Sequence, residues 1–351
     1  MNEMISLFTR ELELCKVGPG QTVAVLTEDN NRADYAAAFL AAAQALGAAA
    51  FQVNVSRAAG GGLMDRAVGA TSLAGNLPAI EALKSADIVI DLMFLLFSRE
   101  QIEITDSGTR MLLVVEPFHV LRGMLPTPDL RRRVEAAEAR LVRARTMHIT
   151  SPAGTDVTYR LGAYPIMTEY GYTDQPGRWD HWPAGMLLTQ GADDGVDGTV
   201  VLSVGDIIFP LKRYVASPVH LTIEKGMVTR IAGDGIDTEI LRDYIESYKD
   251  PRAYAISHIG WGLNEKALWR QLAISNDPAE LGMHGRAFYG NVLFSLGPNV
   301  ELGGKNDTLC HLDIPLKGAS LSLDGEPIVV EGRLVPEDMR VPEFEERMQV
   351  A

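Results

Sequence analysis

Thr22-Val23-Ala24-Val25-Leu26 is a short apolar, β-branched run, and Thr27-Glu28-Asp29-Asn30-Asn31 follows it as a polar turn. The run reads as a buried strand. An alanine-rich helical segment from Ala33 to Leu46 comes next, closed by Gly47 as its C-cap. The alternation repeats outward from this unit. An amphipathic helix over residues 3–15 and the turn Gly18-Pro19-Gly20 precede it. Phe51-Gln52-Val53-Asn54-Val55 alternates as a second strand. Pro78 opens a helix to Lys84, and 87–91 and 111–115 are two more strands. Strands alternating with helices predict a parallel α/β sheet of βαβ units. A dinucleotide-binding version needs glycines in the first strand-to-helix turn. Residues 27–31 contain none, and Gly60-Gly61-Gly62 reads as loop, so NAD and Walker-type phosphate binding are rejected.

The texture changes after a charged helix from about Asp129 to Arg145, in which Arg131-Arg132-Arg133 reads as a solvated face. Short β runs then dominate: 147–150, 199–204, 207–210, 219–224, 227–231 and 320–323, with turns such as Lys225-Gly226 and Asp324-Gly325. One helix, 238–248, interrupts them. The expected organisation is an N-terminal α/β domain over residues 1–146 and a larger, mostly antiparallel α+β catalytic domain over 147–351 that binds metal.

The chain has 351 residues, is 46% hydrophobic and carries a net charge of −14, which suits a globular enzyme and disfavours nucleic acid as a partner. Two cysteines, Cys15 and Cys310, exclude a disulfide framework and any C-x-x-C site. No signal peptide is read, and the most apolar run, 88–97, is too short to span a bilayer. A cytoplasmic protein that forms a homo-oligomer and has no membrane partner is expected.

Chemistry collects in four places. In Cys310-His311-Leu312-Asp313-Ile314-Pro315, residues two apart on a strand point to one side, and Pro315 is expected to end the pairing. His311 and Asp313 would supply two corners of a metal site; a second His would complete the 2-His-1-carboxylate set that binds Fe(II) and leaves one face open. Otherwise they are two polar groups at a strand end. The stretch from Glu169 through Tyr170, Arg178, Trp179 and His181 to Pro183 has no regular period and is rich in aromatic and charged groups. It suits a planar polar ring, or else a connection whose Trp rings pack on the core. His258, in Ile256-Ser257-His258-Ile259-Gly260-Trp261-Gly262, is a core histidine unless the H-x-D pair recruits it. Ser295 ends a short strand, where it could donate to a bound oxygen or cap a turn. No G-x-S-x-G or H-E-x-x-H occurs, so serine hydrolase and zincin chemistry are set aside.

These blocks, together with Gly303-Gly304-Lys305, Ala74-Gly75-Asn76-Leu77 and Val114-Val115-Glu116-Pro117, resemble the 2,5-dihydroxypyridine 5,6-dioxygenase family of nicotinate catabolism, over nearly the whole chain. That family is related by fold to thermophilic metallo-aminopeptidases. The resemblance implies one Fe(II) on His258, His311 and Asp313. It also implies opening of 2,5-dihydroxypyridine by O2 to N-formylmaleamate, with Glu169, His181 and Ser295 lining the site. It departs at Phe97, where the family has a histidine.

The substrate's para hydroxyls cannot both chelate one ion, so ring contacts must orient it. Arg178, Trp179 and Tyr170 are the expected contacts. His181 is the expected general base, with Glu169 orienting or replacing it. The rivals are an aminopeptidase-like hydrolase of the same fold, which needs two bridged metals, and a ring-binding protein without catalysis.

Overall fold

The computed structural model describes residues 1–57, 71–96, 98–275 and 277–345. The glycine triplet at 60–62 and Phe97 lie outside the described residues. In chain order the first elements are α1 (Asn2–Leu14), β1 (Thr22–Glu28), α2 (Ala33–Ala45), β2 (Ala49–Val55), α3 (Leu77–Lys84), β3 (Ile88–Asp91), α4 (Arg99–Asp106), β4 (Arg110–Leu113) and α5 (Phe118–Gly123). Then come α6 (Pro128–Leu141), β5 (Thr146–Thr150), β6 (Asp156–Arg160), β7 (Met167–Glu169), β8 (Trp179–His181), β9 (Met186–Gln190), β10 (Val196–Leu202), β11 (Ile207–Ile208) and β12 (Arg213–Tyr214). The last are β13 (Val219–Glu224), β14 (Met227–Ala232), α7 (Ile236–Ser247), β15 (Ile256–Gly262), α8 (Gln271–Ile274), α9 (Met283–Ala287), β16 (Val292–Leu296), β17 (Leu312–Leu316), β18 (Ser320–Leu323), β19 (Glu326–Val330) and β20 (Arg333–Leu334).

Two compact units divide the chain: 1–126 with 169–184, and 127–168 with 185–351. The sequence reading drew one boundary at 146/147. Here α6 and β5 lie on the same side of the division, and residues 169–184 return to the first unit.

The first unit is the expected parallel α/β sheet, in the order β2-β1-β3-β4-β8, with every pairing parallel. Central strands β3 and β4 are buried throughout, as continuous apolar runs covered on both faces should be, whereas the edge strand β2 is mostly open. Phe8 of α1 stacks on Phe39 of α2, ring centroids 3.9 Å apart. The glycine-free turn after β1 works because Asp29, Asn30 and Arg32 take left-handed backbone angles. Asn31 accepts from the Glu28 N–H at 3.0 Å, and Asn54 accepts from the Asn30 N–H at 2.7 Å. Asn and Asp tolerate this region because their short side chains bond locally.

Asp91 closes β3 and has no solvent exposure. It accepts from the N–H groups of Met93 at 2.8 Å and Leu95 at 2.7 Å. Burial lifts its carboxyl to about 6 against those bonds. A raised acid contributes stability that is full below its unfolded value and is lost as pH rises through the folded one. The stability advantage of the parent chain over Asp91→Asn is therefore expected to shrink between pH 4 and 7, by up to about 3 kcal/mol. Denaturant unfolding of the pair across that range measures it.

The second unit carries an eight-stranded sheet, β14-β13-β10-β6-β5-β18-β19-β20, the ribbon β11-β12, and a five-stranded sheet, β17-β16-β15-β9-β7. The pairings resolved within these sheets are antiparallel, as expected from the hairpin turns. Two readings need correction. Pro315 does not end the pairing of β17: Leu293 still faces Pro315 and Val292 faces Leu316. Pro is tolerated there because β17 is at the sheet's edge, where one side needs no ladder donor. The basic run on α6 is not wholly solvated either, since Arg133 is completely buried.

Candidate functional site

In the second unit β15, β16 and β17 lie side by side, so His258 and Asp313 reach one sheet from strands far apart in sequence. Ile256 pairs with Leu296 and Ile259 with Phe294, so Ser257 and His258 form a bulge opposite Ser295. A bulge bends its strand and re-aims a side chain. The Ser295 hydroxyl donates to the His258 carbonyl at 2.5 Å and pins the bulge. Its hydrogen is thus directed at backbone. Ser295 in turn faces Asp313 in register.

One carboxylate oxygen, Asp313 Oδ1, lies 2.9 Å from His258 Nε2 and 3.3 Å from His311 Nε2. The three donor atoms lie within 4.8 Å of one another, close enough to share an ion. His258 and Asp313 are buried and the His311 side chain is 21% exposed. His311 Nε2 is buried and makes no hydrogen bond among the described residues, which an ion at the common point would relieve. Two imidazole nitrogens and one carboxylate oxygen fit a divalent transition metal.

The surroundings hold each donor in place. Arg286 Nε donates to Asp313 Oδ2 at 2.6 Å, leaving Oδ1 to face the histidines, and its guanidinium lies 4.2 Å over the Phe209 ring. Glu301 Oε1 lies 3.1 Å from His258 Nδ1. Burial opposes charge on His258, but Asp313 and Glu301 on its two nitrogens prevail and lift the ring to about 10. Burial likewise pushes the Asp313 carboxyl up, while His311, Arg286 and His258 hold it well below the usual range.

The other expected residues lie in the first unit. Part of the stretch taken as irregular is a strand: β8 adds to the parallel sheet, with Trp179 opposite Met111 and His181 opposite Leu113. His181 ends β8 at the carboxyl edge of the sheet, the edge at which open α/β sheets bind ligands. Asp180, buried and between them, ties the stretch together. It accepts from the N–H groups of Gly171 at 2.9 Å, His181 at 2.8 Å and Tyr170 at 3.2 Å, and from Arg178 at 2.7 Å. The Arg178 guanidinium lies 3.9 Å over the Tyr170 ring. Trp179 packs against the apolar core, and fully buried Trp182 meets Phe8 edge-on at 5.7 Å. Glu169, at the end of β7, is buried.

The structure therefore brings His258, His311, Asp313 and Ser295 together in one unit and Glu169, Tyr170, Arg178, Trp179 and His181 in the other. Sequence reasoning missed Glu301, Arg286 and Asp180. Glu301 left one faint signal, an acid set between a Gly-Pro-Asn corner and Gly303-Gly304.

The profile of the 2,5-dihydroxypyridine 5,6-dioxygenase (NicX) family matches residues 3–336. The chain belongs to that family. A 2,5-dihydroxypyridine 5,6-dioxygenase from Pseudomonas putida is 47% identical over 343 residues, covering 96% of this chain and 98% of the relative. The solved 2,5-dihydroxypyridine dioxygenase of Pseudomonas putida KT2440 superposes with a TM-score of 0.92 over 96% of this chain and 98% of its own. Wild-type AmpT from Thermus thermophilus shares the fold, with a TM-score of 0.58 at 15% identity over 95% of this chain and 99% of its own. This chain thus carries its His-His-Asp group on a fold also found in AmpT. No helix among the described residues is long and apolar enough to cross a membrane.

Proposed function

We propose that this chain is a ring-cleaving dioxygenase. It holds one ferrous ion on His258, His311 and Asp313 and opens 2,5-dihydroxypyridine with O2 to N-formylmaleamate, adding both oxygen atoms. The supporting observation is the convergence of two nitrogens and one oxygen within 4.8 Å, in a family whose characterised relative bears that activity's name. Among the described residues no second group of His, Cys, Asp or Glu stands close enough to hold another ion. That favours this reading over a two-metal hydrolase. When bound, iron supplies the electron transfer that lets a spin-paired ring react with dioxygen.

The remaining roles fall to protein groups. His181 takes the proton of the 5-hydroxyl, which makes the ring electron-rich, and Glu169 orients that imidazole. Tyr170 offers an aromatic face to the ring, and Trp179, packed on the apolar core, supports His181 with ring centroids 6.4 Å apart. Arg178 serves substrate binding by bracing Tyr170 from above. Ser295 keeps His258 aimed through the bulge. Assembly as a homo-oligomer in the cytoplasm belongs to the same proposal, and sedimentation of the purified chain reads its size.

The test is oxygen uptake by anaerobically iron-loaded protein given a panel of hydroxypyridines. One O2 consumed per 2,5-dihydroxypyridine is expected. Hydrolysis of amino-acid amides without oxygen uptake would instead favour the hydrolase, and ring binding without turnover the non-catalytic reading. His181→Ala is expected to lower kcat by about 10²–10⁴-fold while iron content stays at the parent level.

A further inference from the structure

We propose that Glu301 is a positioning residue of the metal centre. Its buried carboxylate holds the Nδ1–H of His258 and thereby reserves Nε2 for the ion. The inference rests on the metal-site reading above.

Three observations carry it. The first is the cost of the residue. The Glu301 side chain is 1% exposed, and Oε2 is buried with no hydrogen-bond partner among the described residues. Its described polar contact is His258 Nδ1 at 3.1 Å. A buried carboxylate held by one bond is expensive, so its presence calls for a use.

The second is its support. Glu301 sits in a loop that bonds to itself at several points. Asn299 N–H reaches the Asn306 carbonyl at 2.9 Å, and Gly304 N–H reaches the Asn299 carbonyl at 2.9 Å. Asn306 N–H donates to Asn299 Oδ1 at 2.8 Å, and the Asn306 amide donates to the Gly297 carbonyl at 2.7 Å. The Ser257 hydroxyl donates to the Pro298 carbonyl, tying the loop to the bulge that carries His258. Gly297 has φ +112°, and a Cβ there would lie 1.9 Å from the Cys310 carbonyl. Only glycine lets the loop pass so close to the segment that runs through His311 into the strand bearing Asp313. Hydrogen bonds thus hold the backbone on both sides of Glu301.

The third is direction. His258 Nε2 faces Asp313 Oδ1, and Nδ1 faces Glu301. A neutral imidazole carries one hydrogen, so the nitrogen that donates to the carboxylate decides which nitrogen can bind metal. Glu301 thus selects the tautomer, and its charge strengthens Nε2 as a donor.

The experiment is competition of Co(II) between a chelator and the metal-free parent, Glu301→Gln and Glu301→Leu chains. The visible Co(II) spectrum and the unfolding midpoint of each metal-free chain are recorded alongside. Affinity is expected to fall in the order parent, Gln, Leu, spanning about 10–100-fold. The Leu variant, relieved of a buried charge, should unfold no earlier than the parent and show an altered Co(II) spectrum. Equal Co(II) affinity in all three chains overturns the inference. So does a loss of affinity that only follows a loss of stability, which marks a structural role. If the parent itself takes up no Co(II), the metal-site reading fails and this inference falls with it.

Discussion

His258→Ala is expected to leave the chain without stably bound metal and without detectable oxygen uptake. The ring supplies one of three donors, and its loss leaves His311 Nε2 and Asp313 Oδ1 as the remaining pair. Losing an outer partner of a ligand already weakens metal by about 10–100-fold, so losing the ligand itself should exceed that range. The variant also strands Glu301, buried and bonded to nothing else described, so its fold needs a separate check. Asp313→Asn supplies one. It keeps the size of the side chain, but its single neutral oxygen can serve either Arg286 or the ion and not both. Metal analysis and oxygen uptake on both variants, with circular dichroism as the fold control, give the answer. Iron content and activity at parent level in either would remove that residue from the centre.

The second large effect is on stability. Arg133 of α6 is fully buried and bonds Asp129 Oδ2 at 3.0 Å, Glu265 Oε2 at 2.5 Å and the Leu263 carbonyl. Leu263 directly follows β15, so this guanidinium ties the helix to the strand that carries His258. Arg133→Met should cost about 3 kcal/mol, because it leaves a carboxylate and a carbonyl unpaired in a largely dry place. Its neighbour Arg132 is 55% exposed and bonds Asp129 on the same helix. Arg132→Met should therefore change stability by no more than about 0.5 kcal/mol. Denaturant midpoints of the two variants, taken on metal-free protein, compare them directly. Equal midpoints would show that burial of Arg133 contributes nothing.

The contrast between Arg132 and Arg133 shows where sequence reading stops. A run of three arginines with glutamates at helical spacing looks like a wet face, and for Arg132 it is one. One position along, the helix turns the side chain by about 100°, which carries Arg133 inward. Local spacing states the angle between neighbours but not which angle faces the core. Pro315 makes the same point, since whether a proline ends a ladder depends on whether its strand lies at an edge. The strand Trp179–His181 was hidden because its sheet partner, β4, lies far back in the chain. Three residues carry too little period to announce a strand alone.

What the chain of residues determined by itself was local. Apolar runs and turn chemistry specified the parallel sheet and the antiparallel sheets. The two-residue strand period placed His311 and Asp313 on one side of a strand, because successive side chains must alternate. A long block likeness pointed to the family and, through it, to His258. The third dimension decided which distant groups meet. A bulge opposite Ser295 turns His258 toward Asp313, Arg286 occupies the second carboxylate oxygen, and Glu301 arrives from a loop pinned by Ser257 and Gly297. None of these has a sequence period, because each arises from where strands cross and how closely backbones approach.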